Sequence, residues 1–236
     1  PPAPGSAMAV PEPVADAPPP ASSAALGPGA RSRLPLEPGP FIGREGDLRR
    51  LDTLAEAGCR LITLVGPGGM GKTRLSVRWA SQRSAEYPGG VYFADVASCR
   101  DDASFLSAVG TALEVPIAAG GPVASRLGAQ LAGHGRMLLI LDNFEQLVSS
   151  SATTVLELFA SAPETTFLVT SREPLRIAGE RVHELVPIGL PAASDDPAAI
   201  ARSDAYRLLR DRVEAVRGSF DPGPAASFLP ARGPAL

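Results

Sequence analysis

Eight consecutive residues, Gly66-Pro67-Gly68-Gly69-Met70-Gly71-Lys72-Thr73, carry the strongest chemical signal in the chain. They fit the pattern G-x-x-x-x-G-K-[ST], in which glycines let the backbone turn through conformations closed to other residues and bring N–H groups against phosphate oxygens. The start of a following helix adds unpaired donors and a partial positive charge. Lys72 supplies a compact cation for the β- and γ-phosphates, and the Thr73 hydroxyl is a hard ligand for Mg²⁺. Of the 22 basic residues Lys72 is the single lysine, the rest being arginine, so the chain keeps lysine where such a loop requires it. The bland alternative is a Gly-rich turn. The loop follows a strand pattern ending at Val65 and precedes a helical one, which is the context phosphate binding needs.

A second carboxylate-bearing element follows at Met137-Leu138-Leu139-Ile140-Leu141-Asp142, an apolar run ending in an acid. Mg²⁺ takes one or two carboxylates beside phosphate oxygens and water, so an acid at the C-terminal edge of a neighbouring strand has the form of a Walker B element. The alternative for Asp142 is a helix cap. Asp95 competes from the shorter run Val91-Tyr92-Phe93-Ala94, and ranks below Asp142 because its apolar run continues past it. Asn143 stands where many hydrolytic P-loop enzymes carry a second acid, and the next acid is Glu145. Glu145 either faces the crevice or favours the start of the next helix. His134, His183 and Trp79 read as surface or packing residues, and Cys59 and Cys99 are too few for a disulfide framework or a four-ligand zinc site.

The elements that must position these groups are legible in the spacing of apolar residues. Strand patterns lie at 61–65, 91–93, 137–141, 167–169 and 182–186, the first, third and fourth nearly continuous in apolar residues as strands buried on both faces should be. Helical patterns lie at about 44–57, 72–84, 102–113, 122–133 and 144–161. A last helix is predicted over 198–216, capped by Asp196, with Pro197 in its first turn and Ala205, Leu208, Leu209, Val213 and Val216 on one face. The alternation predicts an α/β fold, a parallel sheet of about five strands with helices on both faces.

With 236 residues the chain can hold one globular domain plus irregular segments. Twelve of its 25 prolines fall in residues 1–40, a stretch too poor in large apolar side chains to offset the entropy of ordering it, and expected to be a disordered linker. Residues 218–236 read as an irregular tail, leaving 41–217 as the domain. A net charge of −3 with mixed signs argues against a free-standing polyanion binder. The arginines of the last helix alternate with Asp204, Asp211 and Glu214 as on a solvated, salt-bridged face. Direct nucleic-acid binding is therefore not expected of this segment. Without a run of about 18 apolar residues or a signal-peptide pattern, the expected location is the cytoplasm, with no membrane partner. The abrupt start at a proline leads to the expectation of flanking domains in a larger polypeptide.

Taken together, Phe41-Ile42-Gly43-Arg44-Glu45, LITLVGPGGMGKTRL, GGVYFADVA, LLILDNFEQL and LVTSREPLRIAGERVHELVPIGLP resemble the P-loop NTPase domain of bacterial STAND-class signalling ATPases. These NB-ARC-like modules occur in LuxR-type and SARP-type transcriptional regulators, and the resemblance covers about residues 41–217. It implies ATP or ADP with Mg²⁺ as ligands. Gly43 and Arg44 would lie near the adenine and ribose, Gly66 to Thr73 would hold the phosphates, and Asp142 would hold Mg²⁺ directly or through water. Arg172 would be the sensor of the γ-phosphate, which an Arg just after a parallel strand can reach, the alternative being a solvated surface side chain. The spacing from Asp142 to Glu145 is shared by the family, so hydrolysis is less firmly implied than binding. Gly189-Leu190-Pro191 precedes the family's helical lid, most of which the chain lacks. The implied role is a nucleotide switch with slow hydrolysis, in which Lys72, Glu145 and Arg172 act on the phosphates. The alternatives are a noncatalytic remnant or protein-interaction module, and a P-loop kinase.

Overall fold

A computed structural model of the chain describes residues 32–37, 39–115, 123–191 and 197–217. In chain order the elements are β1 (Ser32–Arg33), α1 (Glu45–Glu56), β2 (Leu61–Val65), α2 (Lys72–Gln82), β3 (Val91–Asp95), α3 (Asp102–Ala112), α4 (Val123–Gly133), β4 (Met137–Asp142), α5 (Val148–Ser161), β5 (Thr165–Ser171), β6 (Glu180–Glu184), α6 (Pro197–Arg202) and α7 (Asp204–Arg217). The strands form one sheet in the order β1-β3-β4-β5-β2-β6, and every neighbouring pair is parallel.

Because side chains alternate across a strand, the sheet feeds two cores. Leu139, Leu141, Phe167 and Val169 pack with Phe105, Phe144 and Leu158 on one face. Leu138, Ile140, Ile62, Leu64 and Leu168 pack with Leu51, Leu75 and Trp79 on the other. Burying each such side chain contributes about 1.5–3 kcal/mol. Trp79 is a core residue as expected, its indole N–H donating to Asp52 Oδ1 at 2.9 Å. All six residues of β4 are buried, which is why its apolar run was unbroken.

Register puts the chemistry at one edge. Asp95 pairs with Asp142, and Val65 pairs with both Ser171 and Glu184, so the chain leaves β2, β3, β4 and β5 at the same level.

Besides β3 and β5, which run two residues beyond the expected stretches, four elements differ from the sequence reading. A sixth strand, β1, lies in the stretch that composition assigns to the linker. Its two residues pair with Val91 and Tyr92, too short a run to carry any pattern. The strand expected at 182–186 is instead Glu180–Glu184, an edge strand whose Val182 is half exposed, so its apolar residues do not mark a buried run. The helix expected over 144–161 begins as a short 3₁₀ turn, Phe144–Gln146, before α5. The last helix is broken at Ser203, whose hydroxyl donates to Ile200 O at 2.7 Å and accepts from Tyr206 N at 3.3 Å, ending α6 and capping α7. Its predicted apolar face is not a packing face throughout, since Leu209 and Val216 are exposed. The ion pairs expected there are present between Arg207 and Asp204 and between Arg210 and Glu214. The Asp196 cap lies outside the described residues.

Candidate functional site

The loop between β2 and α2 stands at the C-terminal edge of the sheet. Gly71 caps α2 in the left-handed region (φ 83°), and a Cβ there would meet no atom within 4 Å. The backbone therefore turns through a conformation only glycine adopts readily while leaving space above the helix start open. Lys72 is buried, and its Nζ donates to the carbonyl oxygens of Gly66 (2.7 Å) and Pro67 (3.0 Å). Burial pushes the Lys72 ammonium below the usual lysine range. The Glu145 charge opposes this, Arg172 adds to it, and Asp142 opposes it.

Asp142, at the end of β4, is 2% exposed. The Thr73 hydroxyl lies 2.9 Å from its Oδ1 and 2.8 Å from its Oδ2. Thr170, from β5, donates to Oδ1 at 2.6 Å, and the Asn143 side-chain amide donates to Oδ2 at 3.1 Å. Burial raises the Asp142 pKa, the Thr170 and Thr73 hydrogen bonds work against that, and the charges of Asp95 and Glu145 reinforce it. Asp142 is therefore placed beside the phosphate loop. Asp95, the competing acid, is exposed and receives a hydrogen bond from Asn143 Nδ2 at 3.1 Å.

Glu145 and Arg172, unrelated in the sequence, meet in an ion pair with Nε and Oε1 3.1 Å apart. Glu145 lies in the 3₁₀ turn rather than in the first turn of α5, and its Oε2 is buried without a hydrogen-bond partner. Arg172 keeps a 63% exposed side chain, and its Nη2 lies 3.9 Å from where a Cβ on Gly68 would stand. Its guanidinium thus overhangs the phosphate loop.

Arg44 is buried and committed to the protein. It donates to Val186 O (2.7 Å) and to Asp47 Oδ2 (3.0 Å) through Nη1, and to Met70 O (3.0 Å) through Nη2. It bolts the phosphate loop to the segment after β6. His183 Nε2 hydrogen-bonds to Asp47 Oδ1 at 2.8 Å and completes this network, while His134 Nδ1 lies 2.8 Å from Gln130 O at the end of α4. Gly43 (φ 74°) meets α7, where a Cβ would fall 2.7 Å from the Cβ of Asp204. A cleft of about 370 Å³ opens beside Gly69, Met70 and Gly71, walled by Phe41, Ile42, Pro187, Ile188 and Leu208.

Sequence reasoning missed Thr170, Asp47 and the cleft walls from Pro187 onward. Thr170 looks like any strand threonine, and Asp47 meets His183 only because β6 lies beside β2 and α1. The linkage of Arg172 to Glu145 was equally invisible, because only the sheet order brings the ends of β4 and β5 together.

A strand, a glycine loop and a helix with a buried lysine and a half-buried threonine, beside an acid ending the next strand but one, define a P-loop nucleotide-binding domain. The chain belongs to the AAA domain family, whose model matches residues 55–175, just over half of its length. A Mycobacterium tuberculosis protein named provisionally as an HTH-type transcriptional regulator is 34% identical over 161 residues, covering 68% of this chain and 17% of that protein. An uncharacterized M. tuberculosis protein is 32% identical over 180 residues, 76% of this chain and 42% of that one. The chain therefore spans less than half the length of either relative. Among solved structures, Cdc6p from Pyrobaculum aerophilum superposes with a TM-score of 0.54 at 17% identity, covering 75% of this chain and 51% of that one. Among the described residues no helix is long and apolar enough to cross a membrane.

Proposed function

We propose that this chain is the ATP/ADP-binding switch domain of a STAND-class, NB-ARC-like signalling or transcriptional regulator, with slow ATP hydrolysis. The observation that carries the reading is the convergence of Lys72, Thr73 and Asp142 at the mouth of the phosphate loop, under the Arg172–Glu145 pair. The relative named as a regulator, of which the chain matches a small part, supports placing the domain within a larger polypeptide.

The residues present fit a Mg²⁺–nucleotide. The Thr73 hydroxyl and both Asp142 oxygens converge within 2.9 Å, a hard-oxygen set of the kind Mg²⁺ accepts. Among the described residues no group of three His, Cys, Asp or Glu could hold a metal unaided, so a cation at Thr73 and Asp142 would complete its shell with phosphate and water oxygens. When bound, Mg²⁺ neutralises phosphate charge. Lys72 exchanges the Gly66 and Pro67 carbonyls for phosphate oxygens, whose negative charge favours the ammonium that burial disfavours. The apolar walls of the cleft, Phe41, Ile42, Met70, Pro187, Ile188 and Leu208, suit the faces of an adenine base. Arg44 lines that cleft without a free polar group, since its guanidinium is spent on Asp47, Val186 and Met70, and Gly43 lies next to it in the chain but outside the cleft wall.

Arg172 leaves Glu145 for the γ-phosphate, and Glu145, with one oxygen already unpartnered, then accepts a hydrogen bond from the attacking water. Loss of the γ-phosphate returns Arg172 to Glu145, giving two states of one exposed arginine. Binding of a fluorescent ATP analogue to wild type and Lys72→Ala tests the reading. Saturable binding that weakens at least about tenfold in the variant is expected for loss of a charge-assisted hydrogen bond. Equal, weak binding by both would leave a noncatalytic remnant.

A further inference from the structure

We propose that Thr170 and Asn143 are positioning residues that lock the Asp142 carboxylate in place for the divalent cation. The inference rests on the Mg²⁺–nucleotide reading and extends it to two side chains outside the phosphate loop.

Asp142 lies buried at the end of β4 with several partners. One, Thr73, is itself a candidate metal ligand and must share its oxygen with the cation. Two others have no such second duty. Thr170 spends its O–H on Asp142 Oδ1 (2.6 Å), and its oxygen accepts the Asn143 backbone N–H at 3.0 Å. The Asn143 amide nitrogen donates to Asp142 Oδ2 and to Asp95 Oδ1, each at 3.1 Å. The result is a closed ring through Asp142, Thr170 and Asn143 that ties the ends of β4 and β5 and reaches the end of β3. A carboxylate held at both oxygens by fixed donors cannot rotate away when Thr73 turns.

The ring also explains an irregular backbone. Asn143 sits at φ 64°, ψ 46°, the left-handed region that asparagine tolerates better than most residues. That turn places its amide between two carboxylates standing at the same level on neighbouring strands. An acid at position 143 would bring a third negative charge and no hydrogens to donate, whereas the amide nitrogen serves both neighbours. The position thus works as a clamp on the metal ligand rather than as the water-orienting acid that other P-loop enzymes place there.

The test measures the affinity of the full chain for a fluorescent ATP analogue across free Mg²⁺ concentrations and in EDTA, for wild type, Thr170→Val, Thr170→Ser and Asn143→Gly. Glycine keeps the positive φ while deleting the amide. Thr170→Val is expected to move the Mg²⁺ midpoint up about tenfold, as for loss of a group that orients a metal ligand. Thr170→Ser should stay within about twofold of wild type, and Asn143→Gly should shift in the same direction as Thr170→Val. Affinity in EDTA should be unchanged in all three. A wild-type midpoint in both Thr170→Val and Asn143→Gly, or equal losses with and without Mg²⁺, would overturn the clamp while leaving nucleotide binding intact. Absence of nucleotide binding by wild type would overturn both proposals. If Thr170→Val does not fold, Asn143→Gly decides between the same outcomes.

Discussion

Asp142 and Glu145 stand three residues apart at the end of one strand, and the protein holds them by opposite means. Asp142 is 2% exposed and takes hydrogen bonds from three side chains, Thr73 on α2, Thr170 on β5 and the adjoining Asn143. Glu145 has one partner, Arg172, whose side chain is 63% exposed, and an oxygen with none. A buried carboxylate with its donors arranged in advance keeps one geometry, because any departure leaves polar groups unpaired in a low dielectric. An ion pair whose arginine faces water is screened on that side, and the arginine exchanges partners cheaply although Glu145 itself is only 16% exposed. The first arrangement suits a fixed ligand and the second a sensor.

Arg44 belongs with the rigid half, and removing it should produce the largest effect. Arg44→Ala leaves Asp47 with only His183 and deprives the Met70 and Val186 carbonyls of their donor. A loss of about 3 kcal/mol of stability is expected, as for breaking a buried pair, seen as a fall of roughly 10 °C in Tm. An unchanged Tm would detach Arg44 from the rigid half. Lys72→Ala should cost nucleotide affinity about 10- to 100-fold through one lost charge-assisted hydrogen bond, while thermal unfolding without ligand changes less than in Arg44→Ala. Equal effects on both measurements would mark Lys72 as structural.

Asp142→Asn sharpens the comparison through pH. The folded-state pKa of Asp142 is raised by burial, so the folded protein holds that proton more tightly than the unfolded chain. Stability from this group is then greatest at low pH and falls as pH rises from the ordinary carboxylate range through the raised folded value. At neutral pH the ionised group carries this burial cost, so the Tm of Asp142→Asn relative to wild type, whatever the lost hydrogen bonds cost it, should move in the variant's favour as the pH rises out of the carboxylate range. A Tm difference independent of pH would contradict the burial cost. The smallest effect should come from Arg172→Ala, whose own side chain is 63% exposed, so that a change of about 1 kcal/mol or less is expected in denaturant unfolding. A loss of 2 kcal/mol or more would place Arg172 in the rigid half.

What the sequence made legible follows the same divide between local and assembled features. The phosphate loop is eight contiguous residues with its strand and helix attached, and β4 is an unbroken apolar run because both its faces are covered. Lys72, Thr73 and Asp142 could be chosen without a structure for those reasons. β5 was only partly visible, since its ends are the buried polar residues Thr165, Thr166, Thr170 and Ser171, which do not look like core. The edge strand β1 escaped because its two residues bury no run of apolar side chains, and β6 was expected two residues late, at 182–186, because its half-exposed Val182 does not mark a buried run. The Asn143–Thr170 bond and the Arg172–Glu145 pair join residues 27 positions apart, at distances set by the sheet order alone.

Arg172 is proposed to read the γ-phosphate while Lys72, Thr73 and Asp142 hold the rest of the Mg²⁺–nucleotide. Affinities for ATP and for ADP, measured by calorimetry with Mg²⁺ on wild type and Arg172→Ala, test it most directly. Loss of ATP affinity by about tenfold, with ADP affinity changed less than about twofold, is the predicted result. Equal losses for the two nucleotides, or no loss for either, would contradict it.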